Sequence, residues 1–303
     1  MFLKKFIKKL IRDLKRDKTD ILLDKFISDV SVIDIGSSYF IDNKWDHFLG
    51  SKKVTWISIE PNNDNLNYLK NWNYKAKLIV KNICLSNQVK EKTLYVTKID
   101  SGSSLKKPNI HSSMKIRMEK TNENYLFPYE EKKIKCETLN NIILADTKKS
   151  FFLKIDTQGS ELDILEGSDQ LIKNEMIIGL ETEAPLWAKP NYENSGKFWQ
   201  ICKFLEQNNF EMLKIFPYQS KSRLKNKTKS EFINNECDAV FALRPDILKK
   251  LDLKKKINII PFYYTYCLYE EILNFIEDNA EVMEYIKNDK NLELFYKLII
   301  KKI

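Results

Sequence analysis

Hydrophobic residues near the start of the chain fall at Phe2, Leu3, Phe6, Ile7, Leu10, Ile11 and Leu14. Steps of one and three place them on one stripe of a helix, with Lys and Arg on the opposite side. From residue 30 the period changes. Short β-branched runs predict strands at Val30–Ile35, Val54–Glu60, Lys77–Ile83, Lys92–Val96, Phe151–Ile155, Met176–Glu181, Glu211–Phe216 and Ala239–Leu243. Helical periodicity is expected near Asp64–Trp72, Leu139–Leu144, Glu161–Gly167 and Gly196–Asn208, with a first crossover helix around Trp45–His47. Strands alternating with helices argue for an α/β fold, a mostly parallel sheet with helices on both faces.

Two stretches interrupt the alternation. Residues 101–136, with Gly102, Pro108 and Pro128, read as a long irregular insertion of the kind that forms lids or binding loops. Residues 219–230 hold Lys221, Arg223, Lys225, Lys227 and Lys229 with no acid, a basic loop that is either solvated or turned toward a negatively charged substrate. Beyond Arg244-Pro245 the pattern predicts one to three further helices. The organisation expected is a basic amphipathic segment over 1–29, an α/β domain over 30–245 and a helical extension over 246–303.

Composition changes this picture in three places. A hydrophobic share of 43% in 303 residues is enough for one large core and excludes a disordered chain. The formal charge of +9 raises the question of a nucleic-acid partner, but residues 1–18 carry eight basic side chains against Asp13 and Asp17. The rest is close to neutral, so no nucleic-acid partner is expected. The basic helix either rests on an anionic membrane face or a partner, or packs on the core with its charged side in water. Five cysteines without CxxC spacing read as reduced thiols, and two histidines, His47 and His111, give no zinc spacing, so no metal-ligating residue is named and a carboxylate-bound Mg²⁺ or Ca²⁺ is left open. With no apolar run of about 20 residues and no continuous apolar leader, the expected location is the cytoplasm, with peripheral contact at the inner membrane face only in the reading that rests that helix on lipid.

Candidate chemistry gathers at strand ends. Val30–Gly36 is an apolar strand closing in Asp34-Ile35-Gly36, at the edge where open α/β sheets bind ligands. The glycine admits close approach to the backbone; Ser37, Ser38 and Tyr39 follow it, so the dinucleotide fingerprint is not matched. The second strand ends in Glu60-Pro61, where a carboxylate can accept both hydroxyls of a ribose or, alternatively, cap a helix. A third strand delivers Asp156 to the sheet edge before a turn at Gly159, beside a bound cofactor or as a cap on the turn. Asp156, Glu161, Glu183 and His111 are candidates for a general base. Of Glu181 and Glu183, one is expected to face the cleft and the other to face away. His47 is a weaker candidate in the crossover helix.

The run Leu153-Lys154-Ile155-Asp156-Thr157-Gln158-Gly159-Ser160-Glu161-Leu162-Asp163-Ile164-Leu165-Glu166-Gly167-Ser168 closely resembles the signature of the FkbM family of methyltransferases. Ile33–Gly36, Ser58–Pro61, Cys84–Asn87, Gly102–Leu105, Ile178–Glu183 with Pro185–Trp187, and Cys237–Phe241 agree in order. The resemblance implies a class I methyltransferase, Rossmann-like fold with a seven-stranded sheet and one antiparallel strand near an edge. It further implies S-adenosyl-L-methionine as cofactor and O-methylation of a sugar, surface glycan or related small molecule. On the matching positions Asp34 and Gly36, with Ser37 and Ser38, would border the amino-acid end of the cofactor, Glu60 would hold the ribose, and Asn82 or Ile83 would lie by the adenine. The family usually continues Gly-Ala-Asn-x-Gly where this chain has Gly36-Ser37-Ser38-Tyr39-Phe40. That departure motivates a second reading, a catalytically inactive methyltransferase-like module that binds within a glycan-synthesis complex. For a methyltransferase, in-line displacement at the methyl group needs alignment and a base; Asp156 is favoured, followed by Glu183 and His111.

Overall fold

The computed structural model describes residues 18–38, 41–66, 69, 72–109, 127–143, 149–186, 190–220 and 233–303. The apolar stripe over residues 2–14, nearly all of the basic loop and His111 lie outside them. In chain order the strands are β1 (Val30–Ile35), β2 (Val54–Ile59), β3 (Lys77–Lys81), β4 (Cys84–Leu85) and β5 (Lys90–Thr97). They continue with β6 (Pro128–Glu137), β7 (Ser150–Ile155), β8 (Ile177–Pro185), β9 (Phe210–Ser220) and β10 (Ile233–Leu243).

Seven strands form one sheet in the order β3-β2-β1-β7-β8-β10-β9. β1 pairs in parallel with β2 and β7, which is why all six of its residues are buried and why it reads as a continuous Val/Ile run. β10 is antiparallel to both neighbours, β8 and β9. The sheet is thus mostly parallel with one reversed strand next to an edge, the class I methyltransferase arrangement.

Helices surround the sheet: α1 (Lys18–Leu23), α2 (Asp46–Leu49), α3 (Asn63–Leu66), α4 (Leu139–Ile142), α5 (Glu161–Glu166), α6 (Asp169–Lys173) and α7 (Phe198–Gln207). After β10 come α8 (Pro245–Leu248), α9 (Leu253–Thr265), α10 (Tyr269–Glu277), α11 (Ala280–Lys287) and α12 (Lys290–Ile300), more than the three helices expected there. Their apolar residues belong to the same cluster as the sheet. Phe262 of α9 stacks on Phe152 at 4.7 Å, and a Cβ on Gly179 would lie 2.7 Å from the Phe262 ring. Phe152 and Gly179 are register partners, so a flat patch of sheet receives that ring.

The segment before β1 is held by these late helices. Ser28 N donates to Asn258 Oδ1 and Asn258 Nδ2 returns a bond to Ser28 O, while the Phe26 and Phe295 rings lie 4.8 Å apart. His47 is a fastener of the same kind: its Nε2 lies 3.0 Å from the Pro261 carbonyl oxygen and 3.1 Å from Thr265 Oγ1, under α9. It does not line the cavity described below.

The stretch 101–136 is not wholly irregular. β6 occupies 128–137, pairs antiparallel with β5 and touches β4, making a separate three-stranded sheet. The strand expected at Lys92–Val96 therefore exists as β5 but leaves the main sheet. β6 is mostly exposed on both faces, and its Glu-Glu-Lys-Lys sequence gives no apolar alternation to read. No helix among the described residues is long and apolar enough to cross a membrane.

Candidate active site

A cavity of about 980 Å³ opens between the carboxyl ends of β1, β2 and β7 and the small sheet. The register of β5 and β6 pairs Leu94 with Lys132 and Val96 with Glu130, and these four residues face the opening as one wall. The opposite wall is the edge of the main sheet, where every feature depends on a close meeting of β1 and β7.

Gly36 makes that meeting possible. It has φ +76°, and a Cβ at this position would lie 1.9 Å from the Asp156 carbonyl oxygen. Its N–H donates to Ile59 O at 2.9 Å, and Asp156 N donates to Ile35 O at 3.0 Å, so the turn is fastened to the strands on both sides. Only glycine supplies this conformation and this clearance together.

The cofactor end of the cavity is lined by Gly36, Ser38, Glu60, Asn82 and Ile83. Glu60 accepts Asn62 N at 2.9 Å and Ser38 N at 3.3 Å, while Asn82 Nδ2 donates to Glu60 O at 2.9 Å. Burial raises the Glu60 carboxyl above its ordinary range, against the pull of those backbone hydrogen bonds. Ser38 Oγ is buried without a hydrogen-bond partner, a donor and acceptor that a ligand's polar atom would complete. A buried carboxylate for paired hydroxyls, an open backbone at Gly36 and an uncompleted hydroxyl together fit a nucleoside-bearing cofactor.

Two expected contacts lie elsewhere. Asp34 and Ser37 do not line the cavity; both are buried beneath it. Asp34 accepts Lys154 Nζ at 3.2 Å, and Ser37 accepts the Ser58 hydroxyl. Alternation along β1 sets Asp34 two residues short of the edge, in register with Lys154, so the pair supports the turn from below. Burial pulls the Lys154 ammonium down, but Asp34, Asp156 and Glu181 outweigh it and leave the group firmly charged.

At the other end Asp156 and Gln158 line the cavity with Asn191 and Glu236. Gln158 Nε2 donates to Asp156 Oδ1 and to Glu183 Oε2, each at 2.9 Å. Tyr192 OH lies 3.1 Å from Gln158 Oε1 and 2.9 Å from Gly102 O. Asn191 Nδ2 donates to Glu236 Oε1 at 2.6 Å. Behind them Glu161 Oε1 accepts the backbone N–H groups of Thr157 and Gly159 and the Thr157 hydroxyl, so it builds the turn and is not a base for the substrate. Burial, then neighbouring carboxylates, push Glu183 well above the usual range, and burial brings Glu236 and Glu161 up to about 7.

Glu181 and Glu183 do not point to opposite sides. Residues two apart share a face of a strand, and Asp238, the register partner of Glu183, feels both carboxylates. Glu181 sits one row deeper, ion-paired with Lys44. Glu183 stands behind Gln158 and is not among the residues lining this cavity. Asp156 is thus the expected base that reaches the opening, Glu183 supports it, and His111 lies outside the described residues. Gln158 was visible inside the motif but carried no separate signal; Tyr192, Asn191 and Glu236 arrive from distant loops and strands and had none. Among the described residues no three His, Cys, Asp or Glu side chains are grouped to hold a metal ion.

The family model described as the methyltransferase FkbM domain matches residues 34–212, from the Asp34 turn into β9. The chain belongs to the FkbM methyltransferase family. Its cofactor is S-adenosyl-L-methionine, and the FkbM domain is an S-adenosylmethionine-dependent methyltransferase. No curated protein matches the sequence. Solved structures that resemble it include precorrin-6y C5,15-methyltransferase from Geobacter metallireducens, at 10% identity and TM-score 0.33 over 74% of this chain and 87% of that one. A TehB-like methyltransferase from Corynebacterium glutamicum matches at 11% identity and TM-score 0.30, over 80% of this chain and 96% of that one. Likenesses of this size say nothing about the acceptor.

Proposed function

We propose that this FkbM enzyme transfers the methyl group to a hydroxyl of a sugar, a surface glycan or a related small molecule. The observation that carries the reading is Asp156: one oxygen is pinned by Gln158 while, among the described residues, nothing is bonded to the other. The cofactor supplies a methyl group on a sulfonium, and the chain's part is to align the acceptor and take its proton. Asp156 Oδ2 is the group for that proton. The amide of Asn191, the carboxyl of Glu236 and the exposed ring of Tyr129 line the same opening. Hydrogen-bonding groups with an aromatic face suit a polyhydroxylated ring.

The test is release of S-adenosylhomocysteine by the purified protein over a panel of methyl glycosides, nucleotide sugars and catechols. Turnover on sugars is expected, with Asp156→Asn lowering kcat about 10²- to 10⁴-fold and leaving the affinity for S-adenosylhomocysteine nearly unchanged. Turnover confined to catechols, or full activity in Asp156→Asn, would refute it.

A further inference from the structure

Gln158 is fixed from several sides at once. Its φ of +58° lies in the left-handed region that residues other than glycine avoid. Ser104 Oγ holds its carbonyl oxygen at 2.7 Å, Tyr192 meets Oε1, and Nε2 spans Asp156 and Glu183. A strained backbone at a ligand-facing residue persists only where its surroundings over-determine it.

We propose that Gln158 is a positioning residue that sets the charge of the cavity floor: it binds Asp156 and Glu183 into one pair, and the pair favours the sulfonium donor over the neutral thioether product. The inference rests on the reading of Asp156 given above. Two adjacent carboxylates repel and tend to share a proton, whereas an N–H donated to a carboxylate favours its charged form. One amide supplies a hydrogen to each. Burial and the surrounding carboxylates push Glu183 toward its neutral form. The Gln158 amide, donating to both partners, opposes that and keeps negative charge on the floor while the donor is bound. After transfer the thioether no longer carries the charge that held it. Among the described residues, the other charged groups around Asp156 are Asp34 from β1, Lys154 from its own strand, Glu161 from α5, Glu181 beside Glu183 on β8, and Glu236 and Asp238 from β10. The Tyr192 and Tyr218 phenols, both raised by burial, stay neutral among them.

Titration calorimetry without any acceptor tests this. Affinities for S-adenosylmethionine and S-adenosylhomocysteine are measured from about pH 5.5 to 8.5, which brackets the carboxylates raised toward neutrality. Wild type is expected to prefer the sulfonium about tenfold at the alkaline end, equivalent to about 1.4 kcal/mol, with the preference fading toward acid. Gln158→Leu is expected to cut that preference about fivefold near neutrality and move the fade to higher pH. Its affinity for the thioether should stay within about twofold of wild type, which also reports an intact fold. Tyr192→Phe, which frees only the Oε1 end, should show a smaller loss in the same direction. Equal weakening of both ligands, or an unchanged preference in both variants, overturns the proposal. Because no acceptor is present, failure on every sugar would remove the substrate reading and leave this result standing.

Discussion

Gly36→Ala probes the junction on which the cofactor cavity is built. The new methyl group would sit 1.9 Å from the Asp156 carbonyl oxygen and 3.3 Å from Thr157 Cγ2, and the backbone would keep φ +76°. The left-handed conformation costs an alanine about 1–2 kcal/mol. The overlap is with backbone, which cannot swing aside as a flexible side chain would, so β1 and β7 must part; overpacking of this kind costs about 1–3 kcal/mol. Together these give roughly 2–5 kcal/mol, a large part of the 5–15 kcal/mol that holds a domain folded. In a chain of this size that corresponds to a fall in Tm of roughly 5–15 °C. Parting the strands also moves Asp156 and the turn that lines the cavity, so S-adenosylmethionine should bind weakly or not at all. Thermal melts with and without cofactor measure both effects, and the wild-type gain in Tm on adding cofactor should vanish in the variant. A variant melting within about 1 °C of wild type and still stabilised by cofactor would refute the account of this junction.

Glu60→Ala should weaken S-adenosylmethionine binding about 10²-fold by calorimetry, since two hydrogen bonds to a charged acceptor are worth about 3 kcal/mol; an affinity within threefold of wild type would remove Glu60 from the ribose role. Lys154→Met leaves Asp34 buried without its counter-charge and should destabilise the fold by about 3–5 kcal/mol in urea, while Lys154→Met with Asp34→Asn should recover much of that loss. Glu161 has a folded-state pKa of about 7 against an ordinary 4.5, so the stability it contributes is complete below about 4.5 and is lost as pH rises through about 7. Glu161→Gln, whose amide oxygen can still accept the Thr157 and Gly159 N–H groups, should therefore show a smaller fall in Tm between pH 5 and 8, by an amount equivalent to at most about 3 kcal/mol.

The central strands were legible because burial on both faces leaves an uninterrupted apolar run, as in β1 and β7. β6 was not, because its register is set by backbone pairing with β5 while its side chains carry charge on both faces. Within the site, Glu60 and Asp156 announced themselves by lying where a strand ends. Asp34 looked equivalent, but its depth depends on Lys154 approaching from the neighbouring strand, a cross-strand pairing that no spacing along one strand reveals. Glu181 and Glu183 were separable only by which partner meets each, the Lys44 ammonium or the Gln158 amide. The clasp on Gln158 joins Gly102, Ser104 and Tyr192, segments brought together by tertiary folding alone.

The bonds between Ser28 and Asn258 span 230 positions, and the Lys25–Asp289 ion pair spans 264. On a ribosome adding about 5–20 residues per second, the segment leading into β1 waits roughly 10–50 s for the helices that bury it. During that interval Leu23, Phe26 and Ile27, all fully buried in the finished fold, have no α9 or α12 to cover them. Synthesis halted before Asn258 would release a chain whose FkbM motifs are complete but whose segment before β1 lacks the cover of α9 and α12. Such a chain is a substrate for chaperones and proteases before it is an enzyme.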